Sequence, residues 1–352
     1  MKLSRTDDVG SFPLPDYLTL EDVENAGALC HKSISRGLTF TAIKKNRFVT
    51  QKFVNPIIEI YQKKLDTGLD YPNYPQFREM NTQFSNWLSD DLTIESEKAF
   101  IPEVKVLEQW AKEEFENTSH KYICRACFTG PLELAIHKLG PQAITPSILE
   151  RIAESVAKFV ENLQVFTEYF AIPLVAIDEP SIGLRDLPNL SSEVITKALT
   201  IATDPIQERN QKCEIHLHSL SNITPVWLVE KIKIIGAEFA ADPSNFGIIT
   251  PALLKEHRKY LRAGIAVTSF DRLVLDYAEK HKIAPKVMYG DNDLLFQALE
   301  THEQFLERFT FTKEKYGDLV VLAGPDCGLK SWKSSEIALK LLKDINDALT
   351  IK

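Results

Sequence analysis

His216-Leu217-His218 places two imidazoles on alternate residues, and this pair is the chemical starting point. Alternate residues of a strand face the same side, so both rings can reach one metal ion. Taken alone, such a pair is more often two hydrogen-bonded structural groups. Two further residues of suitable type change that balance. Cys327, in the run Gly324-Pro-Asp-Cys-Gly-Leu-Lys330, offers a thiolate, and Asp242 offers a carboxylate. Zinc accepts imidazole, carboxylate and thiolate, and an enzymatic zinc keeps one position open for water or substrate. His216, His218, Asp242 and Cys327 therefore form a candidate zinc set. Alternation also puts Glu238 on the same side as Asp242, so it remains the other candidate carboxylate.

Residues so far apart in sequence can meet only if strands carry them to a common face. Eight short apolar runs, at about 8–12, 68–71, 122–129, 174–178, 213–218, 238–242, 264–270 and 319–323, are each followed by a polar or glycine-containing break. Helical patterns separate most of them. The stretch 145–170, for example, carries Ile148, Ile152, Val156, Phe159, Val160 and Leu163 at helical spacing. Strands alternating with helices predict an α/β fold, a (β/α)8 TIM barrel. The long connection after the second run predicts an inserted helical region at about 73–120. No internal repeat, low-complexity tract or Gly/Ser linker divides the chain, so one decorated barrel domain over residues 1–352 is expected.

Working groups of such a barrel sit where strands end. Ser11, Gln76, Arg78, Asp178, His216, His218, Asp242, Asp271 and Cys327 all lie at or just after the expected strand ends. Val9-Gly-Ser-Phe-Pro13, Ile177-Asp-Glu-Pro180, His216-Leu-His218 and Pro325-Asp-Cys-Gly-Leu-Lys330, in this order, resemble the motifs of the catalytic half of cobalamin-independent methionine synthase and its short archaeal and bacterial relatives. That family shares a broader group with uroporphyrinogen decarboxylase. The resemblance covers most of the chain. It implies a zinc-dependent methyltransferase in which His216, His218, Asp242 and Cys327 hold Zn2+ and a thiol, homocysteine, accepts a methyl group. It also implies that Asp178 meets the amino group of the substrate and that Ser11 helps to hold the amino acid.

Three positions depart from the family pattern. His218 stands where the family has cysteine, which makes the zinc centre less negative and lowers the nucleophilicity of a bound thiolate, so a more reactive donor than methyl-folate is expected. Pro75-Gln-Phe-Arg78 replaces a Gly-Glu-Phe element, leaving Gln76 and Arg78 as substrate contacts. Phe270-Asp-Arg-Leu273 replaces an element with a histidine linked to proton delivery, and Asp271 becomes the candidate for that catalytic work. The chain resembles the short relatives, which implies a methyl-corrinoid or other donor, with a carrier protein as the partner that presents it.

Other classes fit less well. A hydrolase would also use His-x-His with Asp to activate water, but barrel hydrolases normally carry that element on the first strand. A catalytically altered homologue that uses zinc to stabilise a docking surface for a corrinoid or carrier protein is the non-catalytic alternative. With 352 residues, 44% hydrophobic and 26% charged, the composition is globular, and a net charge of -8 without a basic stripe excludes nucleic acid as an expected partner. No apolar run is long enough to span a membrane, and the acidic start is unlike a secretory signal, so a cytoplasmic location is expected. Cys30, Cys124, Cys127, Cys213 and Cys327 are an odd set, better suited to reduced thiols than to disulfides. Cys124 and Cys127 are three apart on a strand and face opposite sides, as core residues do. Lys44-Lys-Asn-Arg47 reads as a solvated face, and Gly290-Asp-Asn-Asp293, which lacks the glycine and distal glutamate of a calcium loop, reads as a helix N-cap.

Overall fold

The computed structural model describes residues 3–184 and 190–350. Seven strands form one parallel sheet: β1 (Arg5–Thr6), β2 (Tyr122–Thr129), β3 (Phe170–Asp178), β4 (Lys212–Leu217), β5 (Ile232–Glu238), β6 (Tyr260–Ala266) and β7 (Val320–Pro325). Their order is β1-β7-β6-β5-β4-β3-β2, so β2 to β7 pair in chain order while β1 lies beside β7, the order of a sheet that curls as a barrel does. Its two edges approach one another. Between them lies the segment 71–73, tied to one edge by the isolated bridge Asp7 to Tyr71 and to the other by Asn73 to Arg125.

The expected second strand, 68–71, is therefore reduced to bridges. Pro72 and Pro75 flank the only residues available, and proline has no N–H for a ladder. The first strand lies earlier than 8–12, because Gly10 at φ 141° interrupts the extended chain after Asp7. The sixth expected run also shifts: β5 stops at Glu238 instead of spanning 238–242. The backbone N–H groups of Ala240 and Ala241 are taken by the carboxylate of Asp326, which turns the chain out of the sheet.

Helices cover the outside. Pro146–Asn162 opens with Thr145, whose hydroxyl accepts the Ile148 N–H, and buries Leu149, Ile152, Val156, Phe159 and Val160. Within 73–120 stand the helices Met80–Ser85 and Pro102–Thr118. No helix among the described residues is long and apolar enough to cross a membrane.

Inward-facing residues alternate in layers. Tyr71 packs with Leu174, Ile234 and Leu322 toward the amino-terminal ends of the strands. Above them sit Asp7, Arg125, Glu214 and Arg262, all with fully buried side chains. Arg262 Nε lies 2.9 Å from Asp7, and Arg125 Nη2 lies 3.3 Å from Glu214. Burial still pushes the Asp7 carboxyl up to about 6, with Arg262 opposing the rise. Small residues make room for this ring: a Cβ on Gly236 would come within 2.8 Å of Glu214, and one on Gly324 within 2.7 Å of Arg262.

Opening one pair in such a ring strands a buried charge, which costs about 3–5 kcal/mol. Arg262→Met, which leaves Asp7 and Glu214 facing one another, is expected to destabilise by about that amount, measured by urea unfolding.

Candidate metal centre

Two residues beyond Glu214 on β4, and so on the same inward side, lies His216; His218 follows just past the strand end. Glu238 closes β5, and Cys327 follows β7 in the turn after Asp326. The four side chains His216, His218, Glu238 and Cys327 converge, with one ligand atom of each within 4.8 Å of all the others. Cys327 Sγ is 3.5 Å from His218 Nε2. Glu238 Oε1 is 3.6 Å from His218 Nε2 and 3.8 Å from His216 Nε2.

These separations decide whether zinc fits. Donors at about 2.0–2.3 Å from a tetrahedral ion stand roughly 3.3–3.7 Å apart. The 3.5 and 3.6 Å spacings fall in that range and the 3.8 Å spacing lies just above it. Both ring nitrogens of buried His216 and the Oε1 of Glu238 have no hydrogen-bond partner, a costly arrangement unless another group satisfies them. Burial, then the neighbouring His218, pushes the His216 pKa well below the usual histidine value, so the ring is a neutral donor. Burial likewise lowers His218 and raises Glu238 to about 7. Burial, then the nearby Glu238, pushes the Cys327 thiol up. Two imidazoles, one carboxylate and one thiol suit zinc in type as well as spacing.

Asp242 is not part of this set. Its Oδ1 accepts the N–H of Ser244 at 3.0 Å and the Ser244 hydroxyl at 2.6 Å, at the opening of the helix Asn245–Ile248. The early end of β5 gives the inward position to Glu238 instead. Asp326, next to Cys327, ties the two loops together by accepting N–H groups of Ala240 and Ala241, and burial pushes its pKa up to about 8.

Asp178 ends β3 and pairs in register with His216. Its carboxyl is buried, its Oδ1 has no hydrogen-bond partner, and burial raises its pKa to about 7, with Arg125 opposing. Adjacent Glu179 has a different task, accepting the N–H groups of Leu132 and Glu133 at 2.9 Å at the start of the helix Pro131–Leu139. Ser11 lies against the Cys327 turn, its carbonyl accepting the Leu329 N–H at 2.8 Å.

The remaining expected residues are placed otherwise. Gln76 is buried, with its Oε1 3.6 Å from Cys127 Sγ. Arg78 is committed to Glu103 through two hydrogen bonds, at 2.8 and 2.9 Å, and stacks over Trp87. Asp271 is exposed at the start of the helix Phe270–His281 and accepts the hydroxyl of Tyr289. It is not among the groups gathered around Cys327. Glu133, which was not singled out from sequence, accepts from Ser181 and, at 3.3 Å, from Asn81, and its charge bears on His218. Its only sequence signal is its position in the first turn after the Thr129-Gly-Pro131 strand end.

No family model and no curated protein matches the chain. Solved structures do resemble it. A B12-independent methionine synthase from Shewanella sp. W3-18-1, in complex with selenomethionine, superposes with a TM-score of 0.57 at 13% identity, over 99% of this chain and 97% of that one. A Listeria monocytogenes protein assigned as a vitamin-B12 independent methionine synthase gives 0.56 at 13% identity, over 99% and 98%. At such identities the likeness is one of fold.

Glu238→Ala is expected to lower zinc affinity by more than the roughly 10–100-fold that loss of a partner behind a ligand costs, whereas Asp242→Ala retains it; competition with a chromophoric chelator measures both.

Proposed function

We propose that the chain is a zinc-dependent methyltransferase that methylates a small thiol, homocysteine or a close analogue, on a (β/α)8-type barrel spanning residues 1–352. The observation that carries this reading is the His216, His218, Glu238 and Cys327 cluster at the carboxy-terminal mouth, with the buried carboxylate of Asp178, its Oδ1 unpartnered, on the neighbouring strand. The whole-chain fold likeness to a methionine synthase that holds selenomethionine supports the same substrate class.

His216, His218, Glu238 and Cys327 would hold the metal. When bound, zinc supplies a Lewis acid that lowers the pKa of a thiol. The chain itself does the positioning. Asp178 receives the substrate ammonium, and burial strengthens that pairing by excluding water. Glu133, fixed by Asn81 and Ser181, adds a second carboxylate near the same mouth. Ser11 lines the approach beside the Cys327 turn. The substrate sulfur gives up its proton and forms a bond to the methyl carbon as the bond from that carbon to the donor breaks. Alignment of the two reactants supplies most of the rate.

A centre with two neutral imidazoles carries less negative charge than one with a second thiolate, so the sulfur is a weaker nucleophile. The reading therefore assigns a methyl-corrinoid or another activated donor, brought by a carrier protein, in preference to a polyglutamyl folate. Asp271 is left the task of handling protons at the rim.

Methionine formation from homocysteine and methylcobalamin tests this. The wild type is expected to turn over, and Asp178→Asn to raise KM for homocysteine by about tenfold while retaining zinc, since one charged hydrogen bond contributes about 1.5–3 kcal/mol. Absence of methyl transfer with every activated donor, in zinc-replete protein, would overturn the reading.

A further inference from the structure

The amino-terminal end of the barrel, opposite the metal centre, contains a cavity of about 680 Å³. This is the size of a small-molecule site, and it lies on a face that in such folds ordinarily serves stability alone. Its floor is the apolar layer Leu174, Ile234 and Leu322. Its rim is cationic. Arg5 opens β1, Lys212 opens β4, Lys233 is the second residue of β5, and Arg258 precedes β6. Among the described lining residues there is no carboxylate.

The positive charge is unusual for its surroundings, because the whole chain carries a net charge of -8. Some of it is engaged: Lys233 lies 3.3 Å from Glu208, and Lys212 donates to the Glu208 carbonyl at 3.0 Å. Arg5 donates to the hydroxyl of Tyr71, with its guanidinium over that ring. Arg258 is exposed and makes no ion pair among the described residues. It also sits at φ 54°, just past the helix Pro251–Glu256, where glycine or asparagine is the usual occupant. An arginine held there against its backbone preference directs attention to the side chain rather than to the turn. Tyr260, 45% exposed, adds an aromatic wall.

We propose that this cavity binds an amphipathic organic anion: an aromatic or aliphatic body on Leu174, Ile234 and Leu322, and a phosphate or carboxylate group held by Lys212 and Arg258, with Arg5 and Lys233 adding to the field. A hydrophobic base alone would not need the cations, and a bare inorganic anion would not need the base. The site is independent of the metal centre and of the methyl transfer assigned to it.

The test is a fluorescence titration of the zinc-loaded protein with anilinonaphthalene sulfonate, an aromatic anion. Saturable binding of one molecule per chain is expected, weakened by roughly tenfold in Lys212→Glu/Arg258→Glu at unchanged zinc content. Lys212→Met/Arg258→Met replaces that variant if charge reversal lowers the melting temperature. Phenyl phosphate and benzoate then compete against the probe, with neutral phenol as control. Displacement by either anion but not by phenol supports the site, and the stronger competitor identifies the head group. Unsaturable binding, equal binding by the variants, or displacement no better by the anions than by phenol would overturn it.

Discussion

The buried ring of Asp7, Arg125, Glu214 and Arg262 is the constraint on which the rest of the structure depends. Two positive and two negative side chains occupy one level of the barrel interior, where an aliphatic layer would ordinarily pack. Each charge tolerates burial only because the others are there. The ring therefore fills one level of the interior as a unit. β2, β4 and β6 contribute its long side chains, and the glycines Gly236 and Gly324 on the intervening strands accommodate them.

This arrangement sets the level of everything above it. Alternation runs on β4 from Glu214 to His216 and continues to His218 just past its end, and on β5 from Ile234 to Gly236 to Glu238. The same two-residue step that brings Glu214 into the ring brings His216 into the candidate metal centre. Asp326 locks the second half, joining the turn that carries Cys327 to the loop that leaves Glu238. The donors are thus held by strand ends and a buried carboxylate, with both ring nitrogens of His216 and Oε1 of Glu238 left free of competing hydrogen bonds. Below the ring, the apolar layer ends in a cationic mouth, so one barrel presents two faces of different chemistry.

Much of this was legible in the sequence where periodicity and residue type agree. The run 122–129 coincides with β2, and the parallel α/β fold follows from the strand-helix rhythm. His216, His218 and Cys327 were chosen by chemistry and meet in space; Asp291 caps its helix as its setting predicts. The failures have physical causes. Glu238 and Asp242 lie on one face by period alone, and only the contact of distant Asp326 with Ala240 and Ala241 decides where β5 ends. Arg78 follows a strand-end position, yet Glu103, from a helix whose packing no local pattern reveals, claims it. The charged ring escaped notice because Asp7, Arg125, Glu214 and Arg262 are isolated in sequence and become partners only when the sheet curls.

Zinc-edge X-ray absorption, before and after homocysteine is added, addresses the central claim directly. The account predicts one sulfur at about 2.3 Å, from Cys327, with nitrogen and oxygen donors at about 2.0–2.2 Å, and a second sulfur when the thiol is present. A spectrum with no sulfur donor, or one that homocysteine leaves unchanged, would contradict it.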